Sequence, residues 1–231
     1  MHKASAYPAM TATSGVTVPE QPGAAAAKAL GPVRGAALGP APVVRDLRDR
    51  AGRAPRQLCF GAGDVVVVSG LPGSGKTTLI DRVVASPRFD SQDARDRWAR
   101  RMPGFLPYAL YRPLVRLAHY TGLRRALRSG ASVVVHDCGT QSWVRSWLAR
   151  EARRRGRGLH LLLLDVDPDT ALAGQRSRGR GVSRYAFARH RRAVGRLVRD
   201  AERGRIPAGC ASAVLLDRDA ADRLRGIGFG R

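Results

Sequence analysis

Lysine is nearly missing from this sequence: Lys3, Lys28 and Lys76 are the only three in 231 residues, although Lys and Arg together number 41. Arginine carries the positive charge, so a lysine inside a structured segment marks a place that wants a compact ammonium. Acidic residues are also few, 18 against 41, leaving a formal net charge of +23. Residues 1–56 contribute only +5 of it, and the rest of the chain is strongly basic. A basic domain favours anionic partners such as nucleotides, nucleic acid or acidic lipid. The arginine excess also accompanies abundant Ala, Gly and Val, the residues a GC-rich coding sequence favours. Cysteine is scarce, and Cys59, Cys138 and Cys210 are odd in number without paired metal-ligand spacing, which argues against a disulfide framework or a zinc site. No apolar run approaches the length of a membrane span, and the N-terminus lacks the charged-then-apolar layout of a signal peptide. The cytoplasm is the expected location. Hydrophobic residues, 44% of the chain, suffice for the core of one ordinary domain.

The first 42 residues are rich in Ala, Pro, Gly and Thr, with four alanines at 24–27 and prolines at 19, 22, 32, 40 and 42. Such a stretch buries too little apolar surface to offset its ordering entropy. Residues 1–56 are therefore expected to be a mostly disordered extension, with the domain at 57–231. Within the extension, residues 43–53 read as a short charged helix.

Beyond it, apolar runs alternate with helical patterns. The runs at 65–68, 132–137, 159–165 and 213–217 read as buried strands, with short strands at 58–60 and 88–90. Helices are expected from about 76, from about 91, at 142–155, 168–177 and 183–202, and after 217. Asp167-Pro168 has the form of an N-cap followed by a first-turn proline. The region from Trp98 to Arg128 is aromatic and basic, punctuated by Pro103, Pro107 and Pro113. In it Leu106, Leu110, Leu114 and Leu117 recur at helical spacing and are expected to be core. Near-continuous apolar strands alternating with helices predict an α/β fold, a three-layer domain whose parallel sheet is covered by helices on both faces.

One stretch organises the chain. Gly70-Leu71-Pro72-Gly73-Ser74-Gly75-Lys76-Thr77 matches the phosphate-loop pattern Gly-x4-Gly-Lys-Thr in full, after an apolar strand and before a helix. Gly70, Gly73 and Gly75 let the backbone turn its N–H groups, with those of Ser74, into one concavity, and the helix beginning near Lys76 adds its positive end. The one lysine of the apolar-rich part stands where it reaches the β- and γ-phosphates. Thr77 is placed for Mg²⁺, and Thr78 joins the nucleotide-binding set. No lysine follows Lys76, so the guanine-recognition sequence Asn/Thr-Lys-x-Asp is absent, which argues against a Ras-type GTPase.

Three further features narrow the chemistry. Asp137 closes an apolar strand, where a carboxylate can hold Mg²⁺ directly or through water. Arg176, Arg178 and Arg180, interspersed with glycines between two helices, are candidates for a lid at 174–183 that neutralises charge on a transferred phosphoryl group. Asp93 can take a proton from an acceptor hydroxyl while Arg95 positions an anionic group, with Asp90 competing for the base role. Residues 91–128 are the candidate acceptor-binding insertion. Its aromatics Trp98, Phe105, Tyr108 and Tyr111 can stack on a base, cover an apolar substrate or pack a core.

Residues 70–78, 91–95, 133–140 and the arginines at 176–180 resemble the small P-loop kinases related to phage polynucleotide kinase, zeta toxins and chloramphenicol phosphotransferase, and bacterial AAA-family ATPases. The resemblance spans roughly residues 60–220. It implies a kinase-like P-loop NTPase topology, ATP and Mg²⁺ as cofactors, and transfer of the γ-phosphoryl group to a hydroxyl acceptor, either a small molecule or a 5′-hydroxyl nucleic acid. The alternative is an ATPase or ATP-dependent switch acting with nucleic acid or a partner protein. In these kinases an Asp, then two residues, then an Arg follow the first helix. Matching Arg95 to that Arg puts Gln92 in the base position, with Asp93 one residue later. The family's Asp-x-Thr-Asn corresponds to Asp137-Cys138-Gly139-Thr140, agreeing at the Asp. His136 reads as a packed strand histidine.

Overall fold

The computed structural model describes residues 43–50, 52–85, 88–89, 97–103, 106–137, 141–177 and 182–230. By internal contacts the chain divides into residues 1–38 and 39–231, and all of the described residues belong to the second unit. The expected extension at 1–42 lies outside them.

Six parallel strands form the central sheet in the order β1-β7-β6-β3-β5-β4. They are β1 (Val43–Asp46), β3 (Val65–Gly70), β4 (Arg88–Phe89), β5 (Val133–Asp137), β6 (Leu159–Leu164) and β7 (Ser212–Leu216). β2 (Gln57–Gly61) and β8 (Gly226–Gly230) pair with each other in a separate parallel ribbon. Among the described residues the longer helices are α1 (Lys76–Val83), α2 (Tyr108–Arg128), α3 (Ser142–Arg154), α4 (Pro168–Arg176), α5 (Arg184–Glu202) and α6 (Arg218–Arg223).

Strand periodicity sorts the core into two. Val65, Val67, Val133, Val135, Leu161 and Leu163 point to one face, where they meet α2, α3, α4 and α5. Val66, Val68, Val134, Leu162 and Leu164 point to the other, where α1, α6 and residues of the β2–β8 ribbon cover them. Side chains alternate along a strand, so runs apolar at every position require cover on both sides. The result is the expected three-layer α/β domain with a parallel sheet covered on both faces. Asp167 caps α4 by accepting from the N–H groups of Asp169 and Thr170, with Pro168 in the first turn as expected.

Three expectations are corrected. Residues 43–53 are not a helix: Val43–Asp46 form edge strand β1, registered on β7 with Val44 opposite Ala213. β-branched residues beside an open strand edge outweigh a weak local helical pattern. This strand lies N-terminal to residue 57, where the sequence places the start of the domain. Arg48 ties it down, donating to Asp46 Oδ2 at 2.6 Å, Asp165 Oδ2 at 2.7 Å and Glu202 Oε1 at 2.9 Å.

The leucine stripe of α2 is not core. Leu110, Leu114 and Leu117 are 67%, 50% and 65% exposed, whereas Leu123 and Leu127 pack on the sheet and Tyr111 and Val115 pack with Trp98, Met102 and Leu106. Two apolar stripes run along this helix, and periodicity does not say which one meets the sheet. Pro113 does not interrupt the helix, which starts directly after Pro107. Finally, β8 follows the last short helix, where no strand is expected from the sequence.

Candidate functional site

β3 is buried along all six residues and delivers its carboxyl end between β5 and β6. The chain leaves β3 for the edge strand β4, returns through β5, then crosses to β6 on the other side. In open α/β sheets, a crevice for ligands forms at such a switch point. The phosphate loop lies there.

Its geometry follows from its glycines. Gly73 and Gly75 have φ of 86° and 94°, the left-handed region that favours glycine. Gly73 has a second constraint, because a Cβ there would collide with the carbonyl oxygen of Ala171. On the opposite side, a Cβ at Gly174 would lie 2.5 Å from the carbonyl oxygen of Gly73. The loop and α4 thus meet backbone to backbone. Gln175 joins them, donating from Nε2 to Pro72 O at 3.0 Å while its Oε1 accepts from Val182 N–H at 3.1 Å. A buried amide so bridges the loop to the start of the segment before α5.

The loop's interior suits an anion. Gly75 caps α1 without any side-chain hydrogen bond, and no acidic residue occupies the first turn. The helix therefore offers its first N–H groups and its positive end to a ligand. Lys76 is 4% exposed, and its Nζ donates to Gly70 O at 2.9 Å and Leu71 O at 2.7 Å. Ser74 Oγ is buried with no hydrogen-bond partner. An orphaned hydroxyl in a phosphate loop is the atom a bound phosphate oxygen would satisfy. Thr77 is half-buried and Thr78 exposed, both on the first turn of α1.

One strand over, Asp137 stands opposite Ser69 in the β5–β3 register, and Ser69 Oγ donates to its Oδ2 at 3.3 Å. Arg145 Nη1 donates to the same oxygen at 2.9 Å, with the two side chains 8% and 9% exposed. Its Nε is buried without a partner. The sequence reading missed Arg145. Its only signal is its position, on α3 next to the inward-facing Val144 and Leu148, and the abundance of arginine conceals it.

Mg²⁺ commonly keeps its waters and takes one or two protein carboxylates together with substrate phosphates. By the phosphate-loop pattern, Thr77 and Asp137 would be the residues to hold it. Among the described residues no group of three or more His, Cys, Asp or Glu could hold a metal without such help.

Beside the loop lies a cavity of about 150 Å³ bounded by Gly75 and Thr78, by Gly174 and Ser177, and by Arg218 and Asp222. Asp222 lies 3.2 Å from Arg218 and 3.7 Å from Arg82. α1, α4 and α6 all contribute, so the cavity exists only once the layers have packed.

The remaining candidates divide. Arg176, the last residue of α4, is exposed. Asp90, Gln92, Asp93, Arg95, Phe105, Cys138, Thr140, Arg178 and Arg180 lie outside the described residues, and Tyr108 is described only in its backbone. His136 is half-buried on β5. Burial pushes the Cys210 thiol up to about 11 against the lowering effect of Arg145, so it stays protonated at neutral pH. No described helix is long and apolar enough to cross a membrane.

A parallel sheet with a phosphate loop at the end of its central strand, a buried lysine inside that loop and an aspartate on the neighbouring strand defines the class of P-loop nucleotide-binding proteins. The chain belongs to the AAA domain family, whose model matches residues 65–204, from the first residue of β3 through α5. Similar solved structures include one from the PezAT chromosomal toxin–antitoxin system of Streptococcus pneumoniae, with 15% identity, coverage of 74% of this chain and 72% of that one, and a TM-score of 0.48. A gluconokinase from Sinorhizobium meliloti 1021 is 16% identical over 71% of this chain and 92% of that one, with a TM-score of 0.42. The tunicamycin resistance protein of Deinococcus radiodurans is 20% identical over 61% and 79%, with a TM-score of 0.35. No curated protein matches the sequence.

Proposed function

We propose that the protein is an ATP-dependent phosphotransferase that moves the γ-phosphoryl group to a hydroxyl acceptor. The observation that carries this reading is the phosphate loop itself: a desolvated Lys76 held by two loop carbonyls and a buried Ser74 hydroxyl lacking a partner. Lys76 exchanges its carbonyl partners for phosphate oxygens and places its charge where the transition state gathers it. The N–H groups at the start of α1 hold the β-phosphate region, and the cavity between Thr78 and Arg218 accommodates the nucleoside. Thr77 and Asp137 would hold a bound Mg²⁺, which would offset charge on the phosphate oxygens. The acceptor oxygen bonds to the γ-phosphorus as the bond to the β–γ bridging oxygen breaks, ADP leaves with that oxygen, and the hydroxyl proton passes to a carboxylate, for which Asp93 and Asp90 are the candidates. Arg95, Arg176, Arg178 and Arg180 are the cations available to the acceptor and to the transferred group.

The test is incubation with Mg²⁺ and γ-labelled ATP against hydroxyl acceptors of several classes, with Lys76→Ala in parallel. Label on one acceptor class, lost in the variant, is the expected result. Label released only as inorganic phosphate, whatever the acceptor, overturns the reading in favour of an ATPase or switch.

A further inference from the structure

α2 and α3 lie on the same face of the sheet, and an open groove of about 440 Å³ runs between them. Its lining includes Tyr120, Arg124, Arg125 and Arg128 from α2 and Trp147 from α3. The two helices together carry nine arginines and one acidic residue, Glu151. One of the nine, Arg145, turns inward to Asp137, and Glu151 has Arg154 at 3.7 Å. Among the described residues no carboxylate pairs with Arg124, Arg125 or Arg128. Three guanidinium groups in just over one helical turn thus face solvent without a counter-charge, which no requirement of the fold explains.

Two aromatics, Tyr120 and Trp147, line the same groove, and Trp143 packs beside it. Tyr120 has its ring centroid 5.4 Å from that of Trp143 and 6.1 Å from that of Trp147, the latter edge-on at 88°. Trp143 is 58% exposed and packs on Tyr120, which lines the groove with the arginines. Two of the chain's three tryptophans therefore belong to one small surface. Flat apolar rings next to unpaired cations match a ligand with flat apolar faces and regularly spaced anions. A polynucleotide with unpaired bases is such a ligand, since stacking and phosphate pairing are its two sequence-independent means of attachment. A duplex hides its base faces, and an acidic helix offers carboxylates but no rings. The Tyr120 hydroxyl donates to Gln141 Oε1 at 3.1 Å, and Gln141 immediately precedes α3, so the two helices are tied together at this end.

We propose that the groove between α2 and α3 is a binding site for single-stranded nucleic acid, with bases stacked on Tyr120, Trp143 and Trp147 and phosphates paired with Arg124, Arg125 and Arg128. The inference does not depend on phosphoryl transfer, and a protein that only hydrolyses ATP would carry the same surface.

The experiment titrates the full chain with single-stranded oligothymidylate, with the same strand in duplex, and with inorganic polyphosphate, following tryptophan fluorescence at several salt concentrations. Tight binding with quenching by the single strand alone is expected. Replacing Arg124, Arg125 and Arg128 together by Ser removes three phosphate contacts and should reduce the slope of log K against log salt by about 2. Replacing Arg189, Arg192 and Arg196 of α5 by Ser removes the same charge elsewhere and should leave that slope unchanged. Trp143→Ala should weaken the single strand on the order of tenfold and leave polyphosphate binding unaltered. Trp143 is largely exposed, so this variant retains the fold, and its ATP affinity should equal that of the wild type. Equal quenching by polyphosphate, equal or tighter duplex binding, or equal effects of the two arginine triples would each overturn the proposal, leaving only a solvated basic face.

Discussion

Replacing Arg145 by Met removes the partner of Asp137, the one buried carboxylate among the described residues at the phosphate site. At the observed 2.9 Å, with an effective dielectric constant of about 20, the pair attracts by about 6 kcal/mol before desolvation is counted. Most of that attraction offsets the cost of taking both ions out of water, and Arg145 enters the balance with a buried Nε that has no partner. Removing one ion leaves the desolvation of the other uncompensated, so Arg145→Met should lower stability by about 3–5 kcal/mol. Against a typical domain stability of about 5–15 kcal/mol, the variant would be close to unfolding at moderate temperature. The double variant Arg145→Met with Asp137→Leu has no stranded charge and should return to within about 1–2 kcal/mol of the wild type. If Asp137 has its proposed Mg²⁺ role, the nucleotide affinity of this variant in the presence of Mg²⁺ should nevertheless fall. Urea denaturation followed by circular dichroism measures all of the stabilities in one double-mutant cycle. A loss below about 1 kcal/mol for Arg145→Met, or a double variant showing the sum of the two single losses, would refute the claim that the pair is desolvated and coupled.

Two further outcomes follow from the geometry. Gly73→Ala adds a Cβ at φ 86° directly against the Ala171 carbonyl, so α4 must move off the loop; nucleotide affinity should drop at least tenfold, and isothermal titration showing unchanged affinity would contradict the backbone-to-backbone contact. Hydrogen bonds from Arg48 hold the Asp46 carboxyl below its ordinary value, against the raising effect of partial burial. A depressed folded pKa means that this stabilisation is fully present above about pH 4 and disappears as pH falls through the folded value. The stability difference between the wild type and Asp46→Asn should accordingly be constant from pH 5 to 7, within the range where ordinary carboxylates are ionised, and shrink below about pH 4. A difference that persists in acid would place the contribution of Asp46 outside its charge.

Much of the site was legible because phosphate binding is a local property. Gly73, Gly75 and Lys76 do their work within one strand-loop-helix unit, and the reason for each is visible in the residue type. Asp137 could be read as well, since a strand that ends in an acid at the carboxyl edge brings its carboxylate to the same crevice. Arg145 and Gln175 could not. Their roles depend on contacts with residues eight positions before and 103 positions before, and one arginine among so many carries no mark of being buried.

The sequence by itself determined the class of the sheet, the place of the phosphate loop and the sign of the protein's charge, because strand burial, loop conformation and ionisation depend on residue type and short-range order. Tertiary structure alone decided which apolar stripe of α2 is buried and which faces solvent. It also drew Val43–Asp46 into the sheet edge and assembled three helices around the cavity. These outcomes rest on packing between segments far apart in the chain, where the energy of a contact belongs to the pair and not to either residue.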